Sequence, residues 1–327
     1  MYDIITFGSA TKDIFLTPRN FRRMTDKRKF ITGKGVCFSL GSKIDIKNIL
    51  FSSGGGGTNT AATFAKQGLR TAYCGAVGTD LTGQEIINEL GGREISTQFV
   101  FKKKGRPTSH SIVITGVGND RTILVYRGAS ELLLKEDIPL DQLRTKWFYL
   151  APLSGKLCDI FEPLIDFGRS KGIKIAVNPG NSQILLPEKK LKKILGKIDV
   201  LILNQEEASL LTRMPFSKEK EIFKKIDKIC PGIAIMTKGE KGVLVSDGKN
   251  IFSAKPPKIK AIDRTGAGDS FASGFVSGVF QTDGDIAYAI QFGIANAASC
   301  LKKIGSKNGL LSKDDNFLRV KVKKETY

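Results

Sequence analysis

From residue 147 onward, short apolar runs alternate with stretches in which apolar residues recur every three or four positions. The runs 147–150, 173–177, 200–203 and 233–237 are rich in branched and aromatic residues and read as buried strands. The stretches between them, about 156–171, 188–195, 206–211 and 217–229, read as helices. Such alternation predicts a mostly parallel sheet covered by helices on both faces. Residues 242–254 follow as a hairpin turning at Asp247-Gly248. The first half is less regular. Asp3 to Gly8 reads as a buried strand ending in glycine, 71–77 as a second with a helix at 82–90 after it, and 44–51 alternates like a strand. Three more runs, 97–101, 109–115 and 121–126, are joined by turns at 103–106 and 116–120 with no helix between them, which predicts an antiparallel meander. The expected architecture is one α/β domain over residues 1–327, with a small β lid formed by 13–53 and 96–127 on one side of the main sheet.

Two glycine-rich stretches break this pattern where extended chain hands over to a helix. The first, Gly54-Gly55-Gly56-Gly57-Thr58-Asn59, leads at once into a helical run from Ala61 that ends before Gly68. Four consecutive glycines weaken any regular element, so they imply that a ligand approaches the backbone closely. Neither a Walker loop nor a dinucleotide fingerprint is present, because no GK[ST] follows and the spacing is not GxGxxG. The second, Asp263-Arg264-Thr265-Gly266-Ala267-Gly268-Asp269, opens onto a helix marked by Phe271, Phe275, Val279 and Phe280. The first amides of a helix lack internal partners and sit at the positive end of its dipole, a combination that binds phosphate. Asp269 lies in that first turn. An aspartate there can cap the helix; beside an anion hole it can also be the base that takes the proton of a hydroxyl attacking the phosphate. Asn59 has the same two readings, a cap or a ligand to a hydroxyl. Asn178, Asn204 to Glu207 and Thr237-Lys238-Gly239 fall at carboxyl ends of strands, where open α/β sheets bind ligands.

Composition narrows the class. Apolar residues make up 41% of 327, which suits a globular chain with a sizeable core. The net charge of +20, from 52 Lys+Arg against 32 Asp+Glu, invites a nucleic-acid partner. The lysines at 189, 190, 192, 193 and at 218, 220, 224, 225, 228 lie on helix exteriors without interleaved aromatics, so a solvated basic face is the expectation and a nucleic-acid partner is not. Five widely spaced cysteines without a CxxC pair point to a reducing cytoplasm rather than to disulfides or zinc. No signal peptide opens the chain and no apolar run approaches the roughly 18 residues of a membrane span, so no membrane partner is expected.

Taken in order, these stretches resemble the ribokinase, or PfkB, family of carbohydrate and nucleoside kinases. The likeness rests on Gly54 to Asn59 with Gly68 and residues 75–80, on Asp263 to Asp269, and on Asn204-x-x-Glu207, and it spans nearly the whole chain. It implies a ribokinase-like three-layer αβα fold and Mg²⁺-dependent transfer of the γ-phosphate of ATP to a hydroxyl of a ribose-like sugar. It implies Asp269 as the base and Gly266, Ala267 and Gly268 as the anion hole. Asn204 and Glu207 would hold Mg²⁺ through water. Thr237, Gly239 and Gly242, with Asn204, would follow the nucleotide, and Asn296 would lie near its base. Asp13, Gly55, Gly56 and Asn59 would surround the sugar, and the short carboxylate of Asp13 suits a vicinal diol. Asp263 and Thr265, with carbonyls near Cys300 and Gly305, would form a K⁺ site. Gly56 stands where many ribose kinases carry lysine, and a glycine there also occurs in members that act on sugar phosphates. Arg19, Arg22, Arg23, Lys27, Arg28, Lys29 and Arg127 are then candidates to meet a substrate phosphate. A free sugar, a nucleoside and a sugar phosphate are thus all open as acceptor. A non-catalytic binding module on the same fold is the remaining alternative, against which Asp269 and its glycines speak. Lid strands in such kinases often pair between subunits, which implies a homodimer.

Overall fold

The computed structural model describes all residues except 20, 27, 29, 31, 32, 116–120 and 327. The first half comprises β1 (Tyr2–Phe7), β2 (Thr11–Pro18), β3 (Arg22–Thr25), β4 (Lys34–Cys37), β5 (Ile46–Gly54), α1 (Gly56–Lys66), β6 (Thr71–Gly78), α2 (Leu81–Gly92), β7 (Ser96–Lys103), β8 (Ser109–Thr115) and β9 (Arg121–Tyr126). Next come β10 (Thr145–Leu150), α3 (Phe161–Ser170), β11 (Lys174–Val177), α4 (Asn181–Ile184), α5 (Glu188–Leu195), β12 (Val200–Asn204), α6 (Gln205–Thr212), α7 (Glu219–Asp227) and β13 (Ile233–Thr237). The chain closes with β14 (Val243–Ser246), β15 (Asn250–Ala254), α8 (Ala267–Gln281), α9 (Ile286–Cys300) and β16 (Val322–Thr326).

A large sheet runs β16-β15-β14-β13-β12-β11-β10-β1-β6-β7. Its pairings from β7 to β13 are parallel and those from β13 to β16 antiparallel. Alternate side chains of one strand serve opposite faces. Ile5, Phe7, Phe148 and Leu150 pack with Leu164, Leu191, Ile194, Phe223 and Ile226 of α3, α5 and α7. Ile4, Trp147 and Tyr149 pack on the other side with Phe64 of α1 and with Phe271, Phe275 and Ile290 of α8 and α9. Continuous apolar runs in β10 to β13 are what a doubly covered sheet needs.

A second sheet, in the order β5-β2-β8-β9, and the β3–β4 hairpin form the small β part. Its extent differs from the expected 13–53 and 96–127. The run at 97–101 belongs to β7, which pairs parallel with β6 at the edge of the large sheet, so there is no three-stranded meander. The helix α2 before it makes a β-α-β crossover, and that connection forces a parallel partner. Only β8 and β9 of that region join the small sheet, with β8 parallel to β2. Strand β16, unforeseen in its charged sequence, covers the edge at β15. No helix among the described residues is long and apolar enough to cross a membrane.

The architecture brings two helix starts together. Gly55 caps α1 and Gly266 caps α8, and α1 packs on α8. Thr6 at the end of β1 ties the first of these turns by donating from Oγ1 to the Gly57 carbonyl at 2.9 Å.

Candidate active site

A cavity of about 230 Å³ opens between the small sheet and these two turns. It is lined by Asp13 of β2, Gly55, Gly56 and Asn59 at the start of α1, Arg127 after β9, and Thr265, Gly266 and Asp269 at the start of α8. Asp13 is only 5% exposed, and its carboxylate stands so close to Gly54 that a Cβ there would lie 2.0 Å from Oδ2. Burial pushes the Asp13 carboxyl up to about 6, against a hydrogen bond from Ser111 and the charge of Lys307. Asp269 is half-buried, and burial raises its carboxyl too, opposed by a hydrogen bond from Asn59 and again by Lys307.

Asn59 is therefore not simply a sugar ligand. Its Nδ2 donates to Asp269 Oδ2 at 2.7 Å, while its Oδ1 accepts from Ser306 Oγ at 2.7 Å. With one end of the amide fixed by a hydroxyl donor, the other must present N–H to the carboxylate. Asn59 thereby orients the Asp269 carboxylate, a contact its helix-start position did not disclose.

A second cavity, about 560 Å³, lies on the far side of the α8 start. Thr237, Gly239 and Gly242 line it, with Ala267 and Gly268, the apolar faces of Ile294, Ala297 and Leu301, and the segment Pro256 to Ile259. Gly266 has φ 74°, and a Cβ there would meet Ser306 Cβ at 2.3 Å, so only glycine turns the chain at this point. Gly266 and Asp269 face the smaller cavity while Ala267 and Gly268 face the larger. The first turn of α8 is the wall between them, and its free amides are directed at whatever crosses it.

Asn204 and Glu207 lie at the carboxyl end of β12, where Asn204 pairs with Thr237. They cap α6 reciprocally: Asn204 Oδ1 accepts from Glu207 N and Glu207 Oε2 from Asn204 N, each at 2.8 Å. Burial and the neighbouring Glu206 raise the Glu207 carboxyl, so a cation beside it would relieve an unfavourable charge. Among the described residues no three acidic, His or Cys side chains converge into a metal cage. One carboxylate and one amide suit a hard ion that keeps most of its water and binds phosphate oxygens.

The pfkB family carbohydrate kinase model matches residues 34–313. The chain belongs to this family. It is a phosphotransferase that uses an alcohol group as acceptor. Among its relatives, the ribokinase of Haemophilus influenzae is 28% identical over 293 residues, covering 85% of this chain and 90% of that one. The nucleoside kinase of Methanothermobacter thermautotrophicus is 26% identical over 272 residues, covering 81% and 83%. The fold matches the structure of Arabidopsis thaliana ribokinase complexed with ribose and ATP with a TM-score of 0.78 at 23% identity, over 95% of this chain and 96% of that one.

Of the expectations drawn from the PfkB likeness, two do not fit the geometry and a third leaves Arg127 alone among the described residues. Asn296 is fully buried between helices: its Nδ2 donates to the Ser270 carbonyl at 2.8 Å and its Oδ1 accepts from Leu311 N at 2.9 Å. The donor-side face of α9 is set by Ile294, Ala297 and Ala298, and one residue's offset turns Asn296 about 100° away. The K⁺ site at Asp263 and Thr265 does not fit. Asp263 Oδ1 already accepts from Thr265 N, Thr265 Oγ1 and Arg121 Nη1, at 2.9, 2.7 and 3.3 Å, and Oδ2 accepts from Gly305 N at 2.9 Å. Thr265 Oγ1 also accepts from Arg121 Nη1 at 2.7 Å, so a guanidinium supplies the positive charge at this loop. Of the basic residues proposed to meet a substrate phosphate, Lys27 and Lys29 lie outside the described residues. Arg22 and Arg23 sit on the exposed β3, and neither they nor Arg19 and Arg28 line the acceptor-side cavity. Arg127 does line it, with Glu131 Oε1 at 3.9 Å from its Nε.

Proposed function

We propose that this PfkB-family protein is an ATP-dependent sugar kinase that phosphorylates a free, ribose-like sugar. The observation that carries this reading is the shared wall. The base Asp269 faces a small polar cavity, and the same helix turn faces a larger one of about 560 Å³. A hydroxyl bound beside Asp269 stands in line with a phosphoryl group held at the amides of Gly266 to Gly268. Transfer of this kind needs positioning and charge stabilisation more than covalent chemistry. Asp269 accepts the hydroxyl proton, Asn59 keeps its carboxylate aimed, and Asp13 holds neighbouring hydroxyls of the acceptor. Thr237, Gly239 and Gly242 follow the donor, and Gly55 and Gly56 leave room for the sugar in the smaller cavity.

The size of the smaller cavity favours a free sugar over a nucleoside. Two carboxylates within it oppose a phosphate on the same side, which disfavours a sugar phosphate unless Arg127 takes it at the rim. The ribokinase relative fits the first reading and the nucleoside kinase relative the second. A nucleotide-coupled activity screen over free sugars, nucleosides and sugar phosphates tests the order; turnover of none of them, with ATP hydrolysis absent, removes the kinase reading.

Mg²⁺, when bound near Asn204 and Glu207, would neutralise charge on the donor phosphates. Glu207→Gln removes the local carboxylate and keeps the cap geometry, so the Mg²⁺ concentration for half-maximal rate is expected to rise by about 5- to 10-fold, a change on the order of 1 kcal/mol. An unchanged Mg²⁺ dependence leaves Glu207 as a helix cap only.

The reading includes a cytoplasmic enzyme, consistent with five free thiols, and a homodimer formed through the small sheet. The face of that sheet turned away from Asp13 exposes Ile49, Phe51 and Leu124, each more than half accessible at 55%, 57% and 52%. Apolar residues clustered this way mark a contact surface. Sedimentation analysis is expected to give a dimer that Leu124→Glu converts to a monomer; a monomeric unchanged protein rules this assembly out.

A further inference from the structure

A guanidinium joins the small sheet to the loop that opens α8. Strand β9 begins at Arg121, which pairs with Thr115 of β8. Side chains alternate between the faces of a strand. Asp13 pairs with Ser111 and Ser111 with Val125, and two steps of two residues lead back along β9 from Val125 to Arg121. Arg121 therefore stands on the same face of the sheet as Asp13, the face that lines the acceptor cavity. Farther along that face a cavity of about 430 Å³ separates Phe15, Leu50 and Val113 from Ile262 and Ile304, and Arg121 and Asp263 meet at its wall.

What Arg121 holds is the turn from Asp263 to Thr265. Asp263 Oδ1 accepts from Thr265 N at 2.9 Å and from Thr265 Oγ1 at 2.7 Å, which folds the loop back on itself just before Gly266. Asp263 Oδ2 accepts from Gly305 N at 2.9 Å, and the next residue, Ser306, packs where a Cβ on Gly266 would stand. The Asp263 side chain is only 9% exposed, so its charge has little water to face and needs a partner. Arg121 Nη1 supplies it, donating to Asp263 Oδ1 at 3.3 Å and to Thr265 Oγ1 at 2.7 Å. The Thr265 hydroxyl thus donates to the carboxylate and accepts from the guanidinium, using both of its capacities. Gly266 follows at once, and with it the first amides of α8. A group that fixes this turn fixes the anion hole.

We propose that Arg121 is a positioning residue: its guanidinium is the built-in cation of the Asp263–Thr265 turn, latching the small sheet to the start of α8 so that phosphoryl transfer needs no monovalent ion at this loop. This rests on the kinase reading of the site. Arg121 lines neither the acceptor cavity nor the donor cavity, so it acts on the reactants only through the turn and the sheet it joins. An exposed ion pair contributes little. This one differs because its carboxylate is largely buried and also sets the path of the loop into Gly266.

The test compares Arg121→Ala and Arg121→Lys with the unchanged enzyme. Arg121→Ala is expected to lower kcat by about 10-fold or more, since a small misplacement of reacting groups is that costly, while donor KM changes less than about threefold. Arg121→Lys keeps the charge, and because one guanidinium nitrogen makes both bonds, an ammonium is expected to recover most of the loss. Guanidinium chloride below denaturing concentration is expected to raise kcat of Arg121→Ala by about threefold or more, by restoring a charge-assisted donor, and to leave the unchanged enzyme no faster. A loss that neither lysine nor guanidinium restores makes Arg121 a merely structural strut and overturns the proposal, as does a kcat of Arg121→Ala within about twofold of the unchanged enzyme. The ion is tested without turnover, because an ion bound only to the folded state raises the thermal midpoint. The unchanged protein is expected to melt at the same temperature in potassium chloride and in tetramethylammonium chloride of equal ionic strength. A higher midpoint in potassium chloride, or a kcat that potassium raises, overturns the proposal. A lack of turnover by the unchanged enzyme on any acceptor sinks the kinase reading instead, so the two failures are told apart.

Discussion

Asp269→Asn lowers kcat by about 10²-fold or more, the low end for a positioned acid–base group, with donor affinity within about twofold of the unchanged enzyme. The side chain stays the same size, and its oxygen can still accept from Asn59 Nδ2. The α8 start keeps its amides, so the phosphoryl group is still held. What disappears is, among the described residues, the only carboxylate that both lines the smaller cavity and sits in the first turn of α8. A 10²-fold loss is about 2.7 kcal/mol of transition-state stabilisation, within what one base supplies. Measured as kcat under saturating acceptor and donor, a variant within tenfold of the unchanged enzyme takes Asp269 out of the base role and leaves it a hydrogen-bond partner of Asn59.

Asp13→Asn is expected to separate function from stability. A site built to accept from hydroxyls loses discrimination by large factors when the acceptor group is removed, so kcat/KM for the acceptor should fall by about 10²-fold or more. The fold should nevertheless become more stable at pH 7. The folded-state carboxyl lies at about 6, above the ordinary 3.8, chiefly because it is buried. The native chain therefore binds more protons than the unfolded chain between those values. This group's stabilising contribution is full below about pH 4 and is lost as the pH rises through 6. At pH 7 its charge is a net burden of at most about 3 kcal/mol, which the neutral amide removes, less the hydrogen bond from Ser111. Urea midpoints should favour the variant at pH 7, and the advantage should shrink toward pH 4. The unchanged enzyme should show an acid limb in kcat/KM near pH 6. Equal activity in the variant, or lower stability at pH 7, would refute the placement of Asp13.

The strongest local signals in the chain came from residues whose roles are local. Gly266 needs a positive φ to start α8, and Asp269 sits one turn on; both follow from chain geometry within a few residues. The strict alternation from β10 to β13 likewise dictated a parallel sheet, because strands with buried faces on both sides have no other partner than helices. Thr237, Gly239 and Gly242 lie at or just past a strand end and line the larger cavity.

Choices among distant partners were not legible in this way. An alternating run at 97–101 looks the same in a meander as at the edge of a parallel sheet, and only the packing of α2 sent β7 to β6. Asn296 has a donor-site neighbour on either side along α9, yet helical rotation points it into the core. Asp263 and Thr265 have the residue types of a cation site, but their oxygens are filled by Arg121, 142 residues away in sequence from Asp263. Lys307 carries no local mark at all among Gly305, Ser306, Asn308 and Gly309. Its burial beside Ser53 and Glu89 exists only after three separate segments converge. The chain by itself determined turns, helix starts and strand faces, which depend on near-neighbour sterics and hydrophobic period. The tertiary structure decided which charges meet, because electrostatic and hydrogen-bond partners are set by proximity in space, and no local pattern encodes it.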